Sequence, residues 1–177
     1  MLVNGLDVKQ QSERRNWYRY HLDATITHPH TGVIYVFSCL NAAAASSVTV
    51  TPPSFGEFEI AALEYKGLLT SAALDKVGTI HDGGFQGSSG TYSWTTNASG
   101  TLAQASELVL AINAEVYGDA TGYSTTGYTQ EILQAGVGSG ALAVLDAVVS
   151  STGSVTPSGT YAANNGTWVG SFVLTYK

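Results

Sequence analysis

Short runs of alternating or β-branched residues, separated by glycine, proline or threonine, follow one another along most of this chain. The clearest is GTWVGSFVLTY, in which Trp168 and Phe172 belong to one alternating set and Val169 and Val173 to the other. A period of two is the pattern of a β-strand, and turn signals about every ten residues are typical of sandwiches and barrels. We therefore expect an all-β fold, an antiparallel, jelly-roll-like β-sandwich of about eight strands.

The predicted strands are NWYRYHLDATI, GVIYVFSCL, SSVTVTP, GEFEIAALEYKG, ELVLAINAEVY, YTQEILQAG, ALAVLDAVVS and GTWVGSFVLTY. Helix-forming residues make EIAALEYKGLL and ASELVLAINAEV ambiguous, and the recurring glycine and threonine residues favour strands there. GVIYVFSCL is apolar on both sides of its alternation, so we expect it to lie between two layers. The glycine-rich stretch from Gly67 to Ser99 predicts a surface loop with one short strand around TYSWT.

The segment SERRNWYRYHL concentrates positive charge in a chain of which only 11% is charged. In a strand, its alternation would place Arg19, His21 and Asp23 on one side, beside Trp17, and Leu22 and Ala24 on the other. The aliphatic stems of the basic side chains would then cover the outer face of a sheet. The alternatives are that these residues contact another subunit or bind a ligand. As a hypothesis, we assign partner docking to Lys9, Arg14, Arg15, Trp17 and Arg19.

The chain length predicts one domain, because 177 residues with 44% hydrophobic content can form one full core but are few for two. We expect a polar, basic N-terminal arm over residues 1–15 and a single β-sandwich domain over residues 16–177. The net charge of −6 argues against a nucleic-acid partner, whose binders are usually basic. No apolar run is long enough for a membrane-spanning helix, which needs about 18 residues.

The histidines of THPH suggest a metal site, since His28 and His30 would point the same way in a strand. A zinc site needs three or four ligands, and only His21 lies nearby, so a turn at Pro29 explains the motif as well. Asp82 and Asp119 lack the repeated acidic spacing of a calcium loop. The sequons at Asn97 and Asn165 are expected by chance in a chain rich in serine and threonine. We expect no metal and no cofactor.

The sequence indicates a catalytic site as weakly as it indicates a metal site. Cys39, the only cysteine, sits inside a predicted apolar strand and is expected to be a buried structural thiol, without a disulfide partner. Glu57 and Glu59 would share one side of a strand, but neighbours two apart usually form a solvated edge. We therefore expect no enzymatic activity. The alternative function is carbohydrate binding, with Tyr92, Trp94, Tyr123 and Tyr128 on loops as stacking platforms for sugar rings.

Four segments together resemble a known group of modules: NWYRYHLDATITHPHTG, FEIAALEYKGLLTSAALD, ASELVLAINAEVYG and VVSSTGSVTPSGTYAANNGTWVGSFVLTYK. The group comprises the β-sandwich modules of bacteriophage structural proteins and of some bacterial surface proteins. The likeness covers roughly residues 16–177 and rests on hydrophobic strand patterns. It implies a jelly-roll-like sandwich with a structural or attachment role, and it carries over no catalytic residue.

The expected function is therefore that of a non-enzymatic virion component, either a capsid decoration (cement) protein or a head- or tail-fibre module. Its partners would be other virion proteins and further copies of itself, with a trimer as one option. The N-terminus has no apolar core of a secretory signal, so we expect synthesis in the host cytoplasm and residence in the virion. Apolar residues that point outward, such as Trp17 and Leu63, would be covered in such an assembly.

Overall fold

The protein is all-β in a computed structural model, which describes residues 7–11, 17–42, 47–51, 58–117, 120–136, 140–164 and 166–177. The first seven strands are β1 (Asp7–Gln11), β2 (Trp17–Arg19), β3 (His21–His28), β4 (Gly32–Ser38), β5 (Ser47–Thr51), β6 (Leu74–Val77) and β7 (His81–Gln86). The other seven are β8 (Gly90–Thr95), β9 (Glu107–Val116), β10 (Ala120–Ser124), β11 (Thr129–Gly136), β12 (Gly140–Val149), β13 (Ser158–Ala163) and β14 (Thr167–Tyr176). Every strand pair is antiparallel.

A central sheet of six strands, in the order β11-β12-β9-β14-β6, organises the domain, and β7 pairs with the first half of β14. Its three middle strands, β12, β9 and β14, are each 10 residues long. Nearly every side chain of β9 and β14 is buried, which requires that both faces of the sheet be covered. Strands buried on both faces read as apolar runs, and ELVLAINAEV and SFVLTY fit this pattern.

One face of the central sheet packs against a smaller sheet of three strands, β10-β13-β8. The small sheet contributes large aromatic side chains to this layer, and the central sheet contributes small ones. The aromatic residues are Trp94, Tyr123 and Tyr161; the small ones are Ala111, Ala141 and Ala143. The chain moves repeatedly between the two sheets, because β8, β10 and β13 belong to the small sheet and β9, β11 and β14 to the central one. The fold is thus a β-sandwich.

The opposite face of the central sheet is covered by the β3–β4 hairpin and by the segment from Ala61 to Leu74. Strand β3 contacts β14 near both of its ends. The Tyr176 hydroxyl donates a hydrogen bond to Asp23 Oδ2 at 2.8 Å. The His28 ring lies against Gly170, where a Cβ would come within 3.1 Å of it. The domain therefore has three layers, with the central sheet in the middle.

The N-terminal strands form a separate sheet of three strands in the order β2-β1-β5. Strand β1 lies within the region expected to be an arm, and it pairs on both sides, so residues 7–11 are part of a sheet. In the described part of the chain, no helix is long and apolar enough to cross a membrane.

The all-β, antiparallel prediction is confirmed, with more strands than the eight expected. The short strand predicted around TYSWT is confirmed as β8, but the surface loop predicted for the rest of 67–99 was wrong, because that stretch also contains β6 and β7. The predicted strand GEFEIAALEYKG was also wrong, because the described residues 58–73 have no strand pairing. Strand β4 was expected to be buried on both sides, and its side chains are instead half-buried.

The alternation predicted for the first strand run breaks inside β3. The pairing of β3 with β4 shifts register between Leu22 and Ala24, as at a β-bulge. A bulge inserts an extra residue, so the side chains beyond it exchange faces. As a result Leu22 is 45% exposed, whereas the Asp23 side chain points inward to Tyr176 and is only 3% exposed.

Candidate functional site

Buried polar side chains are concentrated on the face of the central sheet that meets the small sheet. On β9 and β14 they are Glu107, Asn113, Glu115, Thr167, Ser171 and Thr175. They share the alternation of Ala111 and Val169, which pack in the layer between the two sheets. Buried polar groups are costly unless they are hydrogen-bonded, so their partners decide what they do.

Glu115 is the centre of the best-connected of these groups. Its Oε1 accepts a hydrogen bond from the Tyr123 hydroxyl, and its Oε2 accepts one from Thr167 Oγ1 at 3.4 Å. Burial raises the pKa of Tyr123 well above its usual value, and the neighbouring Glu115 carboxylate raises it further. Tyr123 therefore keeps its proton and donates it. Because Glu115 is only 5% exposed, this pair ties the two sheets together and does not face solvent.

A second buried pair joins β9 to β14. Ser171 and Asn113 are direct cross-strand partners, and the Ser171 hydroxyl donates a hydrogen bond to Asn113 Oδ1 at 2.6 Å. Both side chains are almost fully buried. Like the Glu115 pair, this bond satisfies polar groups inside the layer.

The aromatic residues expected to lie on loops do not do so, with one exception. Tyr92 and Trp94 lie in β8, and Tyr123 lies in β10. Trp94 is 3% exposed and Tyr123 is 6% exposed. Their rings are 6.1 Å apart in the core, and Tyr123 stacks on Tyr161 at 5.1 Å. The loop placement was therefore wrong for all three, and only Tyr128 lies between strands. Residue type alone does not say whether an aromatic side chain lies on a loop or faces the core from a strand.

The three N-terminal histidines have separate environments. His28 is buried, and its Nδ1 accepts hydrogen bonds from the backbone N–H groups of His30 and Thr31 at 3.3 and 3.1 Å. His30 stacks on Trp168 with ring centroids 3.5 Å apart. His21 contacts Asp23 at 3.1 Å. Among the described residues, no three ligating side chains converge as a metal site.

Asp82 connects β7 to the buried histidine. His28 Nε2 lies 3.3 Å from Asp82 Oδ1, close enough for electrostatic attraction although the two atoms are not aligned as a hydrogen bond. Asp82 also accepts the Gly84 N–H at 2.8 Å, and this bond, together with the nearby His28, lowers the pKa of its carboxyl group. Because Nδ1 of His28 accepts two backbone N–H groups, the ring shapes the β3–β4 turn, and its buried Nε2 faces Asp82.

The remaining candidates from the sequence are the Cys39 thiol, the acidic residues Glu57 and Asp119, and the sequon residues Asn97 and Asn165. Cys39 lies just after β4 and is half-buried, and burial raises the pKa of its thiol, which favours the unreactive protonated form. Glu57 and Asp119 lie outside the described residues, as does Asn165. The side-chain amide of Asn97 donates to Thr79 Oγ1 and to the Ile80 carbonyl, at 3.0 and 2.9 Å. Its amide nitrogen is thus engaged in holding the loop before β7.

The residues assigned to docking are only partly described. Lys9 and Arg19 are direct cross-strand partners between β1 and β2, and Trp17 pairs with Gln11. Arg14 and Arg15 lie outside the described residues. The strand pairing therefore brings two of the five assigned positions together.

The structure adds an exposed apolar strip, of which the sequence had indicated only Leu63 as an outward apolar residue. It consists of Phe58, Ile60, Leu63 and Leu69 on the unpaired segment that covers the central sheet, and these residues are 37–56% exposed. Ala61, Tyr65 and Leu68 of the same segment pack inward. The segment thus anchors itself by one set of side chains and presents the other to solvent.

The structure also contains an open groove of about 530 Å³ where β7 and β8 separate. Its lining residues are His81, Asp82, Gly83, Ser93, Trp94, Thr95, Ser158, Gly159, Thr160, Tyr161, Val169 and Ser171. The serine and threonine residues among them belong to no recognisable motif, so nothing in the sequence indicates that they are neighbours.

No protein-family model, curated protein or solved structure matches the chain.

Proposed function

We propose that the protein is a non-enzymatic structural component of a bacteriophage virion, a capsid decoration (cement) protein or a head- or tail-fibre module that docks onto other virion proteins. The observation that carries this proposal is the exposed apolar strip on the layer covering the central sheet. The likeness of the strand segments to phage structural modules supports the choice of a virion over other assemblies.

The strip has the properties of a surface that becomes covered. Phe58 and Ile60 alternate with inward residues as in a β-strand, yet no strand pairs with their segment in the described part of the chain. An extended segment without a neighbour offers backbone hydrogen-bonding groups to a partner strand. Full burial of one such apolar side chain stabilises a complex by about 1.5–3 kcal/mol.

The charge distribution supports docking by the N-terminal segment as well. Four of the seven basic residues lie within the first 19 positions, while the whole chain has a net charge of −6. A basic segment on an acidic body favours oriented approach to an acidic surface. Assembly would then combine electrostatic steering by the N-terminal segment with apolar contact at the strip.

The first experiment asks whether the protein is part of a particle. Phage particles induced from a culture that carries the gene are purified by density gradient, and their proteins are identified by mass spectrometry. We expect the chain in stoichiometric amounts in the particle band. Its absence from purified particles, with expression verified in the lysate, would contradict the proposal.

The second experiment tests the strip with a matched pair of variants. Phe58 and Phe85 are both exposed phenylalanines, at 56% and 54%, but only Phe58 belongs to the strip. We expect Phe58→Ser to weaken rebinding of the recombinant chain to stripped particles by at least about tenfold, the equivalent of 1.4 kcal/mol. Phe85→Ser should rebind normally. Equal rebinding of both variants would exclude the strip as the docking surface.

The third experiment tests the basic segment without removing β1. Deletion of residues 1–15 would also delete the middle strand of the β2-β1-β5 sheet, so neutralisation of charge is the cleaner change. The variant combines Lys9→Gln, Arg14→Gln, Arg15→Gln and Arg19→Gln. We expect slower association and a loss of the salt dependence seen with the unmodified chain. An unchanged salt dependence would contradict a role of these residues in steering.

A further inference from the structure

The groove between β7 and β8 arises from the topology of the domain. These strands are consecutive in the chain but join different sheets, because β7 pairs with β14 and β8 pairs with β13. The two strands therefore separate between the connection at residues 87–89 and the hydrogen bonds of Asn97 to Thr79 and Ile80. The result is a groove of about 530 Å³ that is bounded at both ends. That volume suits a small molecule and is within the usual range of ligand sites.

The walls of the groove are strand edges. Within the described residues, β8 is the last strand of the small sheet, and β7 has a strand partner on one side only. Edge strands carry backbone N–H and C=O groups that their own sheet does not use. The groove therefore offers donors and acceptors from both walls, in addition to its side chains.

Hydroxyl side chains are the most numerous among the described residues that line the groove. Those that are not buried are Ser93, Thr95, Ser158 and Thr160. Val169, Trp94 and Tyr161 also line the groove, but each is only 2–3% exposed, so they close its floor without offering a ligand much surface. Ser171 is equally buried and donates its proton to Asn113. Trp94 Nε1 and the Tyr161 hydroxyl have no exposed surface, so they do not count among the groups that meet a ligand.

The charge of the groove disfavours anionic ligands. Among the described residues that line it there is no lysine or arginine, so a phosphate or carboxylate would find no such cationic partner there. Asp82, the one carboxylate among those described residues, accepts the Gly84 N–H and lies beside His28. His81 contributes one ring that can donate or accept. The remaining chemistry is that of a neutral ligand with many groups that both donate and accept hydrogen bonds.

We propose that this groove binds a neutral polyhydroxylated ligand of the size of a mono- or disaccharide. Sugar hydroxyls match the mixed donors and acceptors of serine, threonine and the strand edges. The inference does not depend on a virion role. It also differs from stacking on loop aromatics, because Trp94 and Tyr161 are buried and the contacts are made by exposed hydroxyls and strand edges.

The test follows the groove by NMR of the ¹⁵N-labelled full chain. Glucose, galactose, mannose and N-acetylglucosamine are titrated separately to millimolar concentrations, with glycerol as the control solute. The Trp94 indole N–H signal, assigned with a Trp94→Phe sample, reports on the floor, and the amides of residues 81–83 and 93–95 report on the walls. We expect at least one sugar to shift these signals in a saturable way and glycerol to leave them unchanged.

A matched pair of variants distinguishes the groove from other surfaces. Thr95 and Thr91 lie on the same face of β8, but only Thr95 lines the groove. Thr95→Tyr should fill it and weaken sugar binding by about tenfold or more, whereas Thr91→Tyr should bind normally. If Thr95→Tyr fails to fold, as judged by circular dichroism, Ser93→Tyr replaces it, because Ser93 is an exposed position in the groove wall. No shift with any of the four sugars, an equal shift with glycerol, or full binding by the filled variant would each overturn the proposal.

Discussion

The two faces of the central sheet are both buried, but by different chemistry. The face under the β3–β4 hairpin is aliphatic and aromatic, and its buried residues include Leu110, Ile112, Phe172 and Leu174. The face under the small sheet carries alanines beneath large rings, together with buried polar groups such as Glu115. The same three strands, β9, β12 and β14, contribute to both faces in alternation.

The difference shows two ways to join layers. Apolar packing is non-directional and roughly proportional to the area buried, so the hairpin face gains stability from size and fit. Hydrogen bonds such as that from Tyr123 to Glu115 depend on direction, so the other face gains a defined position for the small sheet. We expect substitutions on the two faces to differ in the size of their effect on the free energy of unfolding.

The largest effect is expected on the apolar face. Phe172 is fully buried in the centre of β14, between the hairpin and the sheet. Phe172→Ala should lower the free energy of unfolding by about 3–5 kcal/mol, because it removes apolar contact and leaves a cavity. Urea denaturation followed by fluorescence measures this change. A loss below about 1 kcal/mol would mean that this face is loosely packed.

A smaller effect is expected on the polar face. Tyr123→Phe removes the hydroxyl that donates to Glu115 and leaves a buried carboxylate oxygen without that donor. The free energy of unfolding should fall by about 1–3 kcal/mol. The control is Tyr117→Phe, at a tyrosine that is 68% exposed, which should be neutral. A double-mutant cycle with Glu115→Gln isolates the coupling, and a coupling of zero would show that the pair contributes nothing specific.

Alkaline pH should distinguish buried tyrosines on the two faces from exposed ones. Burial raises the pKa of Tyr123 and of Tyr176 above the unfolded value of about 10, and Glu115 and Asp23 respectively raise it further. The folded state therefore holds these protons longer than the unfolded state. Their contribution to stability is complete below pH 10 and is lost as the pH rises above it, by up to about 1.4 kcal/mol per pH unit for each tyrosine.

The measurement is urea denaturation at a series of pH values from neutral to strongly alkaline. Tyr123→Phe and Tyr176→Phe should each flatten the alkaline decline, whereas Tyr117→Phe should not. A decline of unchanged slope in both buried variants would contradict the role assigned to their protons.

The smallest effect is expected outside both faces. Phe58 lies on the covering segment with its side chain turned to solvent. Phe58→Ser should change the free energy of unfolding by no more than about 0.5 kcal/mol, as surface substitutions usually do. Thermal denaturation checks this. A loss of several kcal/mol would mean that Phe58 supports the fold, and the strip would then have to be redefined without it.

The long strands could be predicted from the sequence because their alternation is long and uninterrupted. ELVLAINAEVY and GTWVGSFVLTY correspond to β9 and β14. Strand β7 could not be predicted, because Gly83 and Gly84 read as a turn, whereas in the sheet a Cβ on Gly83 would come within 3.2 Å of the Val169 carbonyl. Glycine there marks close approach of a neighbouring strand, which is a tertiary condition.

The candidate sites were less predictable than the strands. Trp94 and Tyr123 were assigned to loops for their sugar-stacking chemistry, and the structure buries both. The groove residues come from two pairs of strands, β7–β8 and β13–β14, that are distant from each other in sequence, and no local pattern relates them. The bulge between Leu22 and Ala24 reverses the facing expected for Asp23, because a register shift is decided by the partner strand.

By itself, the sequence determined that this protein is an antiparallel β protein, and it located four strands of the central sheet, β9, β11, β12 and β14. Period-two alternation is a local property, and each strand carries it in its own residues. Only the tertiary structure decided which strands share a sheet, what covers each face and which side chains remain exposed. These depend on contacts such as that between Asp23 and Tyr176, which are 153 residues apart, and no short pattern encodes such a pairing.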